Sequence, residues 1–519
     1  MSDFDPWLAG PYITLNRARQ SLSAREHGQM LEVLAPGQPV ARRIAHDFSG
    51  MFSAERMNSS EDRAVGHWAL RKAASDASDA TVPDRFAPAG QDLIPQMRAT
   101  HQLVRDLVDA IRSGQWRTSA GQVVRHVIHL GIGGSDTGPQ LLLSALQPAK
   151  SQPSMQAHFL ANLDHHAVEQ TLSRCDPTAT LVIIASKSFT TQETVINARH
   201  VLEWMRQGKA PNPEHNVVAV TAEPERALRW GIPAQQVFWF DHSIGGRFSL
   251  WGPVSFTARV ILGNAAIDQF IAGGLSMDQH VLAAPLSRCL PAVLAATDHY
   301  NLRTRKLPTL MVSAYDSRLT LLVPYLKQLW MESLGKHIGR DGQPLDGPGC
   351  PILWGDVGTN AQHAFFQLLH QGAQGVSIEL IASIHPGHGA LATHDALWAN
   401  LIAQAQALSS GQAHEDAAKT CWGGHPVTMV LLEQLDPRSL GALIALWEHR
   451  VVALAAIHKI NPFDQWGVEL GKSIAKSALE AISGTVMPGG PDASPALDPN
   501  SQLLIQWFRE HRQTTKKQA

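Results

Sequence analysis

Short apolar runs rich in β-branched residues recur along the middle of the chain, each followed by a helix-compatible stretch. They cover residues 123–130, 181–185 and 216–221, then, in a second cycle beginning near Pro285, residues 309–312, 376–382 and 428–432. Such alternation predicts βαβ units and parallel sheets. The expected fold class is α/β: two doubly wound parallel-sheet domains at about 101–280 and 285–455, with a mainly helical N-terminal extension (1–100) and a helical C-terminal segment (456–519). Residues 1–100 show no strand of comparable strength, and residues 59–65, a hydroxyl before acidic residues, read as a helix start. Residues 440–460 are the most apolar long stretch, but they contain Glu448, His449 and Arg450 and read as a buried helix rather than a membrane span. Residues 489–499 read as a Pro/Gly/Asp-rich loop and 513–519 as a frayed tail.

Composition narrows the partners. The 519 residues are 44% apolar and 17% charged, with a net charge of −2. That balance lacks the clustered positive charge of a nucleic-acid or polybasic membrane surface, so neither partner is expected. The acidic opening, Met1 to Asp5, lacks the basic and apolar regions of a signal peptide, and a cytoplasmic location is expected. Cys175, Cys289, Cys350 and Cys421 form no C-x-x-C, which suits reduced thiols better than disulfides or a zinc knot. With 25 histidines, a lone His carries little information. His385, His388 and His394 match no standard metal spacing and read as solvated or hydrogen-bonded.

Two loops rich in glycine and hydroxyls follow apolar runs. The first is Gly131-Ile132-Gly133-Gly134-Ser135-Asp136-Thr137-Gly138-Pro139 and the second is Ser186-Lys187-Ser188-Phe189-Thr190-Thr191-Gln192-Glu193. A strand ending in such a loop and turning into a helix offers backbone N–H groups and a positive helix end to an anion. The first loop also approximates the dinucleotide fingerprint, but Pro139 stands where that helix would be under way, and no acidic residue follows on a clear strand about 20 residues later. A structural tight turn is its other reading. The second loop places four hydroxyls within six residues. One or two would suffice for a helix cap, and the surplus suits the oxygens of a phosphate monoester.

Further candidates lie downstream. Ile244-Gly245-Gly246-Arg247 sets an arginine after a flexible glycine pair, either as a cation for a developing oxyanion or as a surface arginine on a turn. Glu332, within residues 328–336, is a candidate general base; Glu332 and Lys336 also have the i,i+4 spacing of a surface ion pair. His363 ends Gly358-Thr359-Asn360-Ala361-Gln362-His363 before a helix-like stretch, as an acid–base group or a cap neighbour. Gln465 and Lys472 are seven apart and would share one helix face, functional or merely amphipathic.

Taken in this order and spacing, the motifs resemble the glucose-6-phosphate isomerase family from about Asn58 to Lys472. Residues 186–194 are similar to its S-K-T-F-T-T-x-E-T, with Ser188 in the Thr place; 245–249 and 463–472 are similar to G-G-R-[FY]-S and F-D-Q-W-G-V-E-L-G-K. The resemblance implies two sugar-isomerase (SIS) domains and extensions that embrace a partner subunit. It implies Glu332 as the base that moves a proton between C2 and C1 through a cis-enediol, and Arg247 as the residue that steadies the enediolate. It further implies His363 and Lys472 as ring-opening groups, with His363 donated across a homodimer interface. Ser186, Lys187, Ser188 and Thr191 match the phosphate loop, Gly134 and Ser135 line the sugar side, and Gln328 and Gln465 border the site. The implied reaction interconverts glucose 6-phosphate and fructose 6-phosphate, in glycolysis and gluconeogenesis, with no cofactor and no metal.

The chain departs from the family pattern at Leu334, where Asn is usual, at Val357 within the loop before His363, and at Pro462, where Ser is common. None of these removes a group that performs chemistry. A related SIS-fold isomerase that also accepts mannose 6-phosphate is one alternative. A non-catalytic sugar-phosphate sensor is another; it would keep residues 186–191 but could lose Glu332, Arg247 or His363, and all three are present.

Overall fold

The computed structural model describes residues 6–75, 80–147, 155–484 and 495–516. The acidic opening and residues 489–494 of the expected loop lie outside these. So do 517–519 of the expected tail, whereas Gln513 to Lys516 continue the helix Pro499–Lys516 rather than fraying. The chain divides into two compact units, Met1–Phe463 and Asp464–Ala519.

Both sheets lie in the first unit, and the α/β class is as expected. Eleven strands are described: β1 (Trp7–Gly10), β2 (Ile13–Arg19), β3 (His126–Leu130), β4 (Gln156–Leu160), β5 (Thr180–Ala185), β6 (Val217–Thr221), β7 (Val237–Trp239), β8 (Thr309–Ala314), β9 (Ile352–Val357), β10 (Ser377–His385) and β11 (Val427–Gln434). One sheet has the order β4-β3-β5-β6-β7 and is wholly parallel. The other runs β1-β2-β11-β10-β8-β9. Its last four strands are parallel, while β2 joins β11, and β1 joins β2, antiparallel.

The strands read as continuous apolar runs because both faces of each sheet are covered. In the first sheet Val127, Leu181, Ile183 and Val218 face one core, and Ile128, Val182, Ile184 and Val217 face another. The core behind the first face continues to Leu310, Val312, Val430 and Leu432 of the second sheet. The short strands β4, β7 and β9 were not anticipated; β4, β7 and β9 lie at sheet edges and are only partly apolar.

Two N-terminal expectations are corrected. Residues 7–19 form a hairpin on the sheet edge, although Asn16 and Arg17 interrupt its alternation; both are buried there, and nearby Gln20 bonds Thr428 at 2.7 Å. Residues 59–65 do not start a helix. Asn58 bridges to Arg63 and donates to Glu61 Oε2 at 3.0 Å, which closes a turn, and the helix His67–Ala73 begins only after Gly66.

The apolar stretch at 440–460 is the helix Pro437–His458, buried along its length. Among the described residues it is the one helix long and apolar enough to cross a membrane. Its charges are matched inside the fold: Glu448 accepts from Arg71 at 2.7 Å, His449 meets Asp278 at 2.7 Å, and Arg450 donates to Asp298 and Glu379, each at 2.7 Å. A buried charge without such a partner would cost several kcal/mol, so about 3–5 kcal/mol separates this arrangement from one missing a partner. The second unit contains a short turn at Trp466–Val468 and the helices Glu469–Ser483 and Pro499–Lys516.

Candidate active site

Strand β3 ends in the first loop, and its last turn is held from behind. His129, fully buried in β3, bonds the Ser135 carbonyl through Nε2 at 2.7 Å and Thr257 Oγ1 through Nδ1 at 2.8 Å. The carbonyl can only accept, so Nε2 carries the proton. Burial pushes this imidazole down to about 4, which keeps it neutral. Gly133 adopts φ +57°, and a Cβ at Gly134 would overlap the backbone of Gly246 and Arg247. The loop therefore sits directly on the Gly-Gly-Arg turn, and glycine is required for that approach.

Asp136 follows at once. It is 5% exposed, accepts from Gln140 Nε2 at 2.8 Å, and leaves Oδ1 without a hydrogen-bond partner among the described residues. Burial raises its carboxyl to about 6. Because the folded value exceeds the unfolded one, the fold prefers the protonated form. Stability from this group is complete below about pH 4 and is lost as pH rises toward 6, by up to about 3 kcal/mol. Asp136→Asn is expected to raise the urea midpoint at about pH 8 relative to that at about pH 4, compared with wild type. An unaltered difference would assign the pH slope elsewhere.

The second loop lies between β5 and the helix Gln192–Gln207. Phe189 takes the left-handed φ of +53° and is buried against Trp230, ring centroids 5.5 Å apart. That anchor turns the chain back so that hydroxyls gather at the helix start. Thr191 is the N-cap, yet its side chain makes no cap hydrogen bond; its Oγ1 lies 3.2 Å from Ser186 Oγ. Thr190 Oγ1 donates to Ser188 Oγ at 2.9 Å. The hydroxyls are thus paired with each other and not spent on capping, which leaves the helix N-terminus available to an anion.

Lys187 reaches away from those hydroxyls. Its Nζ donates to the carbonyls of His242 and Ile244 at 2.7 and 3.0 Å and so ties this loop to the Gly-Gly-Arg turn. Burial first, then the nearby Arg63, pushes its ammonium down to about 8.

Arg247 is 3% exposed, not a surface residue. Its Nε donates to Ser333 Oγ at 2.7 Å, one terminal nitrogen to the Pro462 carbonyl at 2.6 Å, and the other to Glu332 Oε2 at 3.4 Å. Tyr325 donates to the Arg247 carbonyl at 3.2 Å. Glu332 stands on the helix Leu322–Leu334 one turn after Gln328, which donates to Oε2 at 3.3 Å. The expected surface pair with Lys336 is replaced: that ammonium donates to the carbonyls of Ser333 and Asn461, at 3.2 and 3.0 Å. A Cβ at Gly133 would fall 2.8 Å from Gln328 Nε2, so the first loop borders the same carboxylate. The glycine loop, the hydroxyl loop, Arg247, Gln328 and Glu332 are thus linked within one unit.

Leu334 is fully buried, and Pro462 contributes its carbonyl, which any residue supplies. Val357 immediately precedes the short helix Gly358–Gln362.

His363 does not join this group within the chain. It is exposed at the end of Gly358–Gln362, and its ring makes no hydrogen bond among the described residues. Gln465 and Lys472 belong to the second unit. Gln465 precedes the turn Trp466–Val468 and the helix begins only at Glu469, so the seven-residue spacing does not place them on one helix face. Lys472 is exposed and donates to Glu469 at 2.7 Å. Sequence reasoning missed His129, Asp136, Tyr325 and Ser333 as supports. His129 had a visible signal, a histidine within an apolar run that ends at the glycine loop.

His388 and His394 are hydrogen-bonded, to the Ala390 amide and the Ile384 carbonyl at 3.1 and 3.0 Å, as expected for non-ligating histidines. All four cysteines are free.

An α/β chain in which the loops after β3 and β5 are linked to a carboxylate and a buried guanidinium has the makeup of a sugar-phosphate isomerase. The phosphoglucose isomerase profile matches residues 24–496. The glucose-6-phosphate isomerase of Rhizorhabdus wittichii is 43% identical over 456 residues, 88% of this chain and 85% of that protein. That of Zymomonas mobilis is 40% identical over 461 residues, covering 88% and 84%. The crystal structure of a glucose-6-phosphate isomerase from Chlamydia trachomatis superposes with a TM-score of 0.82 at 28% identity, over 97% of this chain and 92% of that one. The chain belongs to the phosphoglucose isomerase family and is an intramolecular aldose–ketose isomerase.

Proposed function

We propose that the chain interconverts glucose 6-phosphate and fructose 6-phosphate. The observation that carries this is the buried Arg247 held 3.4 Å from the partly exposed carboxylate of Glu332, beside the glycine loop. One carboxylate suffices for an aldose–ketose exchange, because the same base reaches two adjacent carbons. Glu332 takes the proton from C2 and returns it to C1 through a cis-enediol, whose enediolate form carries the charge on oxygen while a proton passes from O2 to O1. Arg247 cannot swing away, since Ser333 and Pro462 hold it, so it is preorganised for that charge. The phosphate does not react; bound at Ser186, Ser188 and Thr191, with Lys187 bracing the loop, it orients the reacting carbons.

His363 handles the proton on the ring oxygen during ring opening, supplied by the partner in a homodimer, and Lys472 assists. Ser135 and Gln465 border the sugar. No step is routed through a metal or cofactor. The setting is cytoplasmic glycolysis and gluconeogenesis. A coupled assay, fructose 6-phosphate in and glucose 6-phosphate out, tests the reaction, and mannose 6-phosphate in the same panel tests the breadth of the pocket. Absence of turnover in the folded protein would favour the sensor alternative.

Ser186→Ala combined with Thr191→Ala is expected to raise the inhibition constant of a phosphorylated inhibitor by at least about 100-fold with little change in stability, since each hydrogen bond to a charged group is worth roughly 1.5–3 kcal/mol. An unchanged constant would remove the phosphate from this loop.

A further inference from the structure

The proposed active site uses the C-terminal end of β3. The other end of that strand carries a separate cluster. His126 opens β3, and His158 lies in the edge strand β4. The register pairs His126 with Gln156 and Ile128 with His158, so both histidines project from the same face, diagonally apart. Cys175 comes just after the helix His165–Leu172 and packs against the core on that face. His126 Nδ1 and His158 Nε2 are 3.4 Å apart, and one ligand atom from each of the three residues lies within 4.8 Å of the others. All three are half-buried, and the proposed isomerisation uses none of them.

We propose that His126, His158 and Cys175 bind a divalent transition-metal ion of the zinc class, with a fourth position left for water.

The spacing fits. Two nitrogens about 2.0–2.1 Å from a tetrahedral ion lie about 3.4 Å from each other, the separation present here. A thiolate about 2.3 Å from the same ion lies about 3.6 Å from each nitrogen. The sulfur–nitrogen distances exceed that value by at most about 1.2 Å, a difference that a change in side-chain torsion closes. The donor set is selective: imidazole and thiolate suit zinc, cobalt and copper, and offer nothing to the oxygen-seeking magnesium and calcium.

The protonation states are compatible with entry. Burial lowers both imidazoles, so their ring nitrogens are neutral near pH 7. Asp176 opposes that shift at His126 and Arg125 adds to it, and His126 and Arg174 add to it at His158. Burial pushes the Cys175 thiol up to about 11, against the pull of Arg174, so the free protein holds it protonated. On binding, the S–H bond breaks, its proton goes to solvent and the sulfur–metal bond forms, so uptake releases one proton per ion. The bound ion would clamp the edge strand β4 to β3 and to the chain after His165–Leu172. It has no part in proton transfer on the sugar.

The test uses the full chain, stripped with a chelator, kept reduced, and titrated with Co2+. The expected result is one tight equivalent per subunit with a near-ultraviolet thiolate-to-cobalt charge-transfer band. Cys175→Ser should abolish the band. His126→Gln or His158→Gln should raise the dissociation constant more than about tenfold. Cys421→Ser should change neither, and circular dichroism checks that each variant is folded. Surface histidines can bind cobalt but cannot give a thiolate band. No band in the wild type, or a band that survives Cys175→Ser, overturns the site. Isomerase assays of the same stripped protein test the proposed reaction independently.

Discussion

Mixing two inactive variants, Glu332→Gln and His363→Ala, is expected to restore about a quarter of wild-type sites after subunit exchange. Within one chain Glu332 is held by Arg247 and Gln328, whereas His363 is exposed and its ring makes no hydrogen bond among the described residues. If the partner's histidine completes each site, a mixed dimer has one site with both lesions and one with neither. Random exchange makes about half the dimers mixed, each with one good site of two, hence about a quarter overall. If both residues served the same subunit's site, every site would carry one lesion and mixing would recover nothing. The measurement is turnover after mild unfolding and refolding together, with mixed dimers confirmed by native mass spectrometry. Mixed dimers without activity would reject the shared site and leave the isomerase assignment standing.

Glu332→Gln alone is expected to lower kcat by about 10²–10⁴-fold, the contribution of a positioned general base. The amide keeps the shape and can still accept from Arg247 and Gln328, but it has no basic oxygen. The carboxylate is about one-third exposed (side chain 30%), so its ion pair with Arg247 contributes under about 1 kcal/mol to stability. The urea midpoint and the inhibition constant of a phosphorylated inhibitor should therefore stay near wild type. Loss of kcat with both unchanged identifies an interaction made in the transition state. Near-normal turnover would move the base to another residue.

Some of this chemistry was legible before folding because it depends on neighbours in the chain. Four hydroxyls in Ser186 to Thr191 exceed what one cap requires, and in the structure Thr191 indeed makes no cap bond. The surroundings of Glu332 were not decided locally, since Lys336 offers a plausible i,i+4 partner. They turned on Arg247, 85 residues away, and on Lys336 having carbonyls to bind at Ser333 and Asn461. The second-unit residues show the reverse: Gln465 and Lys472 look co-facial by spacing, but the helix starts at Glu469, between them.

Periodicity and turn chemistry act over a few residues, so the chain alone announced the α/β alternation, the two glycine- and hydroxyl-rich loops and the charged residues within a buried helix. Which polar groups are enclosed, and by what, depends on contacts between segments distant in the chain. Strand β2 forms because the exposed edge of β11 pairs with its backbone, despite Asn16 and Arg17 in its sequence. Arg247 becomes a fixed cation because Ser333 and Pro462, distant in the chain, close around it. Lys187, which the family resemblance places in the phosphate loop, braces the turn before Arg247 by donating to two carbonyls there. Burying a polar group is costly unless a partner meets it, and such partners come from segments that only folding brings together.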